Sequence, residues 1–191
     1  MTKIEIIVAS TRPSRIGHLI GDWIKKEAES FSGFTVVELV DLAILDLPFM
    51  NEPHHPRLKQ YIHQHTRDWS AKVSEADAFV FVMPEYNYGY NAELKNAIDY
   101  LNQEWHYKPV GLVSYGGVSG GTRAAQMIKQ VVTTLKMTPV LEAVSLPFVQ
   151  QFITEQEEVQ PNDVMTQAAK AMMEELLRVA EALRPLRSTT S

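Results

Sequence analysis

Hydroxyl and guanidinium groups are concentrated near the start of the chain, in the segment STRPSRIG. Ser10, Thr11 and Ser14 offer hydroxyl donors, and Arg12 and Arg15 offer guanidinium groups that suit phosphate oxygens. A helix that begins here adds unpaired amide groups and the positive end of its dipole. The segment therefore predicts an anion site, most simply for a phosphate monoester. Serine and threonine are also common helix caps, so a capped helix with solvated arginines explains the same residues equally well.

Glycine is concentrated in a second segment, SYGGVSGG, which begins at Ser114. Glycine lets the backbone approach a flat ligand closely and permits positive φ. A tight turn with a helix cap at Ser119 is an equally good explanation.

The same segment matches GxSxG, the nucleophile elbow of α/β-hydrolases, with Ser119 as the nucleophile. Such enzymes place an acidic residue and then a histidine after the serine in the chain. The last histidine here is His106, which precedes Ser119. The pattern therefore disfavours an acyl hydrolase.

A third segment, PEYNYGYNAELKNAID, follows an apolar run. Pro84 favours an extended residue before it, Gly89 allows a turn, and Asn91 suits a helix N-cap. These effects leave the aromatic rings of the segment unexplained. The rings belong to Tyr86, Tyr88 and Tyr90. Tyrosines on such a loop indicate stacking on a planar group or burial in a subunit interface.

The elements that must position these segments alternate along the chain. Apolar runs predict strands at 3–9, 34–40, 78–83, 110–114 and 139–144. Helical periodicity predicts helices at about 16–31, 58–75, 92–102, 119–136 and 163–183. This alternation predicts an α/β fold: a three-layer, doubly wound sandwich around a five-stranded parallel sheet of order 2-1-3-4-5. Ligands of such sheets bind at the carboxyl ends of the strands, where all three segments lie.

Composition narrows the remaining possibilities. The 191 residues suit one domain, expected over 1–184, with a disordered tail at 185–191. The net charge of −5 does not indicate nucleic-acid binding. No apolar stretch reaches membrane-spanning length, and the N-terminus does not resemble a signal peptide. The chain has no cysteine, which fits a reducing compartment, and we expect a cytoplasmic protein without membrane contact.

The six histidines do not indicate a metal site. His54 and His55 lie in a proline-rich connection at 41–56 whose function the sequence leaves open. His63 and His65 are two positions apart on a predicted helix, so they are not expected to share a face. No HExxH motif occurs.

Taken in order, STRPSR, PEYNYGYNAELKNAIDYL and VSYGGVSGGTRAAQ resemble the NADPH-dependent FMN reductases and NAD(P)H quinone reductases, which have a flavodoxin-like fold. The resemblance runs from the first strand to the helix after the fourth, and PEYN…LKNAID is its most specific block. It implies FMN-binding positions in all three loops. They are Ser10, Arg12, Arg15 and Ile16 at the phosphate, Pro84, Glu85, Tyr86 and Asn87 along the isoalloxazine, and Ser114, Tyr115, Gly116 and Gly117 at its pyrimidine end. Many relatives have glycine where this chain has Ala9.

The resemblance also implies the reaction. A hydride would pass from NADPH or NADH to FMN, and the electrons would then pass to a small-molecule acceptor such as a quinone, in a ping-pong sequence. No catalytic side chain is expected, because the flavin carries the chemistry. Relatives pack the helix after PEYN against a second subunit, so a homodimer is expected, with a tetramer left open. Tyr88 and Tyr90 are candidate interface residues.

Two other functions compete with a reductase. A flavodoxin-like electron carrier would bind FMN without oxidising NAD(P)H, but such carriers have phosphate loops without arginine and are more acidic. The acyl hydrolase is the weaker alternative. The physiological acceptor and the choice between NADPH and NADH stay open at this point.

Overall fold

A computed structural model of the chain describes residues 2–188. Its centre is one sheet of five strands, all parallel, in the order β2-β1-β3-β4-β5. The strands are β1 (Lys3–Val8), β2 (Val36–Asp41), β3 (Ala78–Pro84), β4 (Pro109–Gly116) and β5 (Thr138–Pro147). The predicted fold class and strand order are confirmed.

Helices cover both faces of the sheet. They are α1 (Gly17–Ser30), α2 (Leu42–Leu45), α3 (Gln64–Glu75), α4 (Ala92–Asp99), α5 (Thr122–Thr134) and α6 (Asp163–Ser188). Apolar side chains of α3, α4 and α5 form the core on one face, and those of α1 and α6 form the core on the other. Short 3-10 turns lie at Pro56–Leu58, Gln103–Trp105 and Val149–Phe152.

The central strand β3 supplies both cores. All of its residues are buried. Phe79 and Phe81 pack under α3 and α4, whereas Val80 and Val82 pack under α1 and α6. Alternation along one strand thus explains why AFVFVM is apolar at every position.

Several helices begin or end away from their predicted limits. The helix predicted at 58–75 starts at Gln64, because Lys59 takes φ +51° and ends a separate 3-10 turn. The helix predicted from 119 starts at Thr122, because Gly120 and Gly121 have φ of +59° and +81°. The helix predicted to 102 ends at Asp99. Strands β4 and β5 run past their predicted ends.

The expected disordered tail is wrong for residues 185–188, which continue α6. Arg187 holds this end of the helix by donating to the carbonyl of Tyr107 at 3.0 Å and to the carboxylate of Asp77 at 2.7 Å. The rest of the expected tail, 189–191, lies outside the described residues. None of the helices within 2–188 combines the length and apolar character needed to cross a bilayer.

Candidate functional site

A cleft of about 210 Å³ lies at the carboxyl ends of β1, β3 and β4, between the three loops singled out by sequence. Ten predicted cofactor positions line it: Ser10, Arg12, Arg15, Ile16, Pro84, Glu85, Tyr86, Tyr115, Gly116 and Gly117. Asn87 and Ser114, also predicted to bind the cofactor, do not line it. The cleft is also lined by Ser14, which the sequence offered as a hydroxyl donor of the anion site, and by two residues that the sequence did not indicate, Val149 and Gln150. The last two follow β5 and belong to no motif, so only their place after a strand could have indicated them.

In the first loop, the two arginines have different environments. Arg15 donates from Nη1 to the carbonyl of Ser10 at 2.9 Å and to the buried carboxylate of Asp41 at 2.5 Å. The hydrogen bond that Arg15 donates to Asp41 raises the pKa of Arg15, and burial only partly opposes this rise. Arg12 is exposed, and it forms no ion pair within the described part of the chain. Arg15 therefore shapes the loop, whereas Arg12 is available to an anion.

The start of α1 suits an anion as well. Ile16 is at the N-cap position and has no polar side chain to cap the helix. The Leu19 amide donates to the carbonyl of Ile16 at 3.1 Å, whereas the amides of Gly17 and His18 precede the first helical hydrogen bond and lack acceptors within the helix. Ile16, at this end of the helix, lines the cleft together with the hydroxyl groups of Ser10 and Ser14 and the guanidinium of Arg12. This donor set fits a phosphate monoester.

Two tyrosine hydroxyls meet Ser10 at the floor of the cleft. The hydroxyls of Tyr86 and Ser10 are 3.2 Å apart. Burial raises the pKa of Tyr115, and a hydrogen bond with Ser10 opposes this only in part, so Tyr115 stays a neutral phenol. Its ring packs in the core under α1. A Cβ added to Gly17 would lie 2.6 Å from the Tyr115 hydroxyl oxygen, so the phenol occupies the space beside the first turn of α1.

Glu85 connects the second loop with the third. Its amide continues the sheet by donating to the carbonyl of Tyr115 at 2.9 Å. Its carboxylate accepts from the Ser119 hydroxyl at 2.8 Å, from the Arg123 amide at 3.0 Å and from Arg123 Nη1 at 2.8 Å. Burial opposes ionisation, but these hydrogen bonds prevail and lower the pKa of Glu85. Glu85 is thus an ionised cap for α5 and not a proton donor.

The segment after Glu85 turns back on itself within four residues. Tyr86 and Gly89 exchange both backbone hydrogen bonds, at 2.8 and 3.0 Å. The two residues between them, Asn87 and Tyr88, have φ of +49° and +73°. This pattern is a type I′ turn, in which asparagine and glycine are usual and a tyrosine is not. Asn87 is therefore an exposed turn residue, and its predicted place along the cofactor is not supported by the cleft.

The glycine-rich loop divides into a structural part and an open part. Ser114 is buried, and its hydroxyl donates to the carbonyl of Gly120 at 3.0 Å. A Cβ on Gly121 would lie 2.6 Å from the backbone nitrogen of Tyr115. A Cβ on Gly117 would meet no atom within 4 Å. Ser114 thus shapes the loop, while Gly117 leaves space beside the cleft for a flat ligand.

Asn91 occupies the N-cap position of α4 as predicted, but its side chain is used differently. Its amide nitrogen donates to the carbonyl of Ala9 at 2.7 Å and to Glu93 Oε2 at 2.8 Å. Thr11 donates to Glu93 Oε1 at 2.9 Å. These bonds join the first loop to α4 and hold one wall of the site.

The connection after β2 is fixed on α4 and not loose. The Tyr100 hydroxyl donates to the carbonyl of Pro48 at 3.0 Å, and the Asn96 amide donates to the same carbonyl at 2.7 Å. His63 and His65, which were not expected to share a face, have stacked rings 5.1 Å apart, because His63 precedes the helix in extended geometry. Within residues 2–188 no group of three potential ligands is placed to hold a metal ion.

Comparisons with known proteins agree with this geometry. A family model described as NADPH-dependent FMN reductase matches residues 2–151. An NAD(P)H-dependent FMN reductase of Schizosaccharomyces pombe is 42% identical over 149 residues, which cover 76% of this chain and 74% of the relative. An NAD(P)H:quinone oxidoreductase of Solanum tuberosum is 43% identical over 63 residues, 31% of this chain and 32% of that protein.

The fold is also similar to that of a solved flavoenzyme. The NAD(P)H:(acceptor) oxidoreductase FerB of Paracoccus denitrificans superimposes with a TM-score of 0.77 at 20% identity, covering 95% of this chain and 98% of that one. The predicted family, and with it an oxidoreductase that uses FMN and NAD(P)H, is confirmed. The chain belongs to the NADPH-dependent FMN reductase family.

Proposed function

We propose that FMN binds in the cleft between the three loops and that the enzyme passes a hydride from NAD(P)H through it to a small-molecule acceptor such as a quinone. The observation that carries this proposal is the convergence of one anion site and one open glycine site on a single cleft. The two sites match the two ends of the cofactor: a phosphate and a flat ring system. FMN, when bound, supplies the hydride chemistry, and the protein supplies its position and surroundings.

At the phosphate end, we assign binding to Ser10, Ser14 and Arg12 together with the first-turn amides of α1. Arg15 does not contact the phosphate in this assignment. It positions the loop by donating to the carbonyl of Ser10, and its charge is paired with that of Asp41. The phosphate site therefore has one unpaired guanidinium and several neutral donors.

At the ring end, Gly116 and Gly117 border the cofactor and Tyr86 covers it. Glu85 keeps the second and third loops in register through its bonds to Ser119 and Arg123. We assign no general acid or nucleophile among these residues, because the flavin supplies the hydride chemistry. Because one cleft receives both substrates, they bind in turn, and we infer a ping-pong sequence.

The decisive experiment begins with the purified protein. A visible spectrum with the two bands of an oxidised flavin supports the cofactor assignment. Bleaching of those bands by NADPH or NADH under argon, and their return on addition of a quinone, supports the reductase. A protein that binds FMN but is not reduced by either nucleotide is a carrier, and a protein that binds no FMN refutes the proposal.

We further propose one cytoplasmic FMN-binding domain, which extends past the expected limit of 184 to the end of α6 at Ser188 and assembles as a homodimer. Ile44 and Phe49 are 81% and 82% exposed on the connection fixed against α4, and Tyr88 is 70% exposed on the adjoining loop. Tyr90, the other candidate interface residue, is half-buried and packs against the core. Light scattering at micromolar concentration tests the dimer, and a Phe49→Ser variant is expected to shift it towards monomer.

A further inference from the structure

We propose that Arg123, held above the ring of Tyr88, binds the 2′-phosphate of NADPH and makes the enzyme prefer NADPH to NADH. This inference rests on the proposed function, because it concerns the nucleotide that would reduce FMN in the cleft. NADPH differs from NADH by one phosphate monoester, so a guanidinium near the mouth of the site is well suited to discriminate between them.

The position of Arg123 meets this requirement. Its Nη1 lies 2.8 Å from Oε1 of Glu85, and Glu85 lines the cleft at the end assigned to the flavin ring. The nicotinamide must reach that end to deliver its hydride, and the rest of the dinucleotide then passes over the adjoining rim. Arg12 and Arg15 lie on the phosphate loop at the other end of the cleft. Arg12 is assigned to the FMN phosphate there, and Arg15 pairs with Asp41.

The guanidinium of Arg123 is held but not saturated. Glu85 holds one Nη1 hydrogen, and the Tyr88 ring covers one face, with 4.0 Å between the guanidinium carbon and the ring centroid. A guanidinium has five N–H donors in a plane, so its remaining edge is free for a bidentate contact with a phosphate. The side chain is 40% exposed, which lets a ligand reach that edge.

The strained turn that contains Tyr88 also indicates that Arg123 lies at a binding site. Tyr88 has φ +73°, which is unfavourable for an aromatic residue, and it is 70% exposed, so its ring adds little to the core. Strain of this kind persists where surrounding contacts enforce it, and it is concentrated at binding sites. The paired hydrogen bonds of Tyr86 and Gly89 and the ring's contact with Arg123 enforce it here. The exposed guanidinium also offers a flat surface for the adenine of the same nucleotide.

The test compares both nucleotides in the FMN-loaded protein with one quinone as acceptor. We expect Arg123→Gln to lower the NADPH-to-NADH ratio of kcat/KM about tenfold or more, the usual worth of a hydrogen bond to a charged group. Arg123→Lys should retain part of the preference for NADPH, since lysine keeps the positive charge but cannot form the bidentate hydrogen bonds of a guanidinium. Arg178→Gln removes an exposed arginine that pairs with Glu175 on α6, and it should leave the ratio unchanged.

A binding measurement separates this inference from the proposed function. Calorimetric titration with 2′,5′-ADP and with ADP should show tighter binding of 2′,5′-ADP to the wild type and loss of that difference in Arg123→Gln. Because no turnover is required, this arm reports on Arg123 even if no NAD(P)H oxidation is found. The assignment would be overturned by an unchanged NADPH-to-NADH ratio of kcat/KM in Arg123→Gln. It would also be overturned if kcat/KM fell equally for both nucleotides while 2′,5′-ADP binding stayed unchanged. Arg123 would then serve only to hold Glu85 in place.

Discussion

The two edges of the sheet are both rich in charged groups, but they use them in opposite ways. At the carboxyl edge, Arg15 pairs with Asp41 and Arg123 pairs with Glu85, but Arg12 has no ion-pair partner within residues 2–188 and lines an open cleft. At the amino edge, Glu5 and Lys108 are buried, and the charged groups around them mostly contact one another or carbonyl groups. The first arrangement leaves capacity for a ligand, whereas the second consumes it.

At the amino edge, burial moves the pKa values of two groups, Glu5 and Lys108, to moderate pH. Glu5 is fully buried on β1, and burial raises its pKa to about 7 despite Lys3 at 3.5 Å. Lys108 is 5% exposed and donates to the carbonyl groups of Val73 and Ser74 at 2.7 and 3.1 Å. Burial lowers its pKa to about 8.

This contrast limits a common inference. Strongly perturbed pKa values often mark active sites, because acid and base catalysts need tuned pKa values. Here the two groups whose pKa values move to moderate pH, Glu5 and Lys108, lie at the edge opposite the cleft, whereas burial moves the pKa of Tyr115 in the cleft further from neutral pH. A reductase whose hydride chemistry is supplied by a cofactor does not require a tuned side chain. Free donor capacity and open space identify the site better than pKa shifts do.

The largest expected effect tests whether the glycine-rich loop divides as described. Gly121→Ala should lower the free energy of unfolding by about 4 kcal/mol, since it strains a positive φ and forces Cβ against the backbone of Tyr115. Gly117→Ala, its matched control, should fold normally and weaken FMN binding. Urea denaturation measures the first effect and flavin fluorescence titration the second. Equal stability of the two variants would contradict the division of the loop into a structural part at Gly121 and an open part at Gly117.

At the amino edge, Glu5→Gln should stabilise the protein at neutral and higher pH. The folded-state pKa of Glu5 is raised from 4.5 to about 7, so its contribution to stability is present below pH 4.5 and is lost as the pH rises towards 7. The variant should gain about 3 kcal/mol over wild type above pH 7 and almost nothing near pH 4.5. Denaturation at several pH values measures this difference. Glu174→Gln, at an exposed position on α6, should show no such pH dependence.

Back at the cleft, Arg12→Ala should weaken FMN binding by roughly thirtyfold, about 2 kcal/mol, because a charged hydrogen-bond donor to the phosphate is lost. Stability without FMN should stay nearly unchanged, since Arg12 is exposed. Arg15→Ala should instead destabilise the free protein, because it leaves the buried Asp41 carboxylate without its cation. Fluorescence titration and thermal melting separate the two. Similar profiles for both variants would refute the distinction between the arginines.

The smallest effect concerns Ser119. Ser119→Ala removes one hydrogen bond to Glu85 and should cost about 1 kcal/mol of stability. Quinone reduction should change by about twofold or less, since Glu85 keeps its bonds to Arg123. Steady-state assays check this. If the wild type hydrolysed esters and Ser119→Ala did not, the result would favour the acyl hydrolase that the GxSxG pattern suggested.

Much of the site follows from sequence alone, and the exceptions are informative. The loops after β1, β3 and β4 were identified from composition, and most of their predicted residues line one cleft. Ser114 and Asn87 do not line the cleft, because a motif does not say which way a side chain points. Val149 and Gln150 were missed because they have no distinctive chemistry and reach the cleft only through the path of β5.

The amino-acid sequence by itself determined the order of strands and helices, the edge that carries the site and the family. Those properties depend on local periodicity, on apolar runs and on short motifs, which are visible along the chain. Tertiary structure alone decided that Arg15 pairs with Asp41, that Glu85 caps α5 and that Arg123 stacks on Tyr88. The partners in these contacts are 26 to 38 positions apart in the chain, and Tyr88 also lies in a turn with positive φ. Packing of distant segments, and not local preference, therefore determines which charges remain free for a ligand.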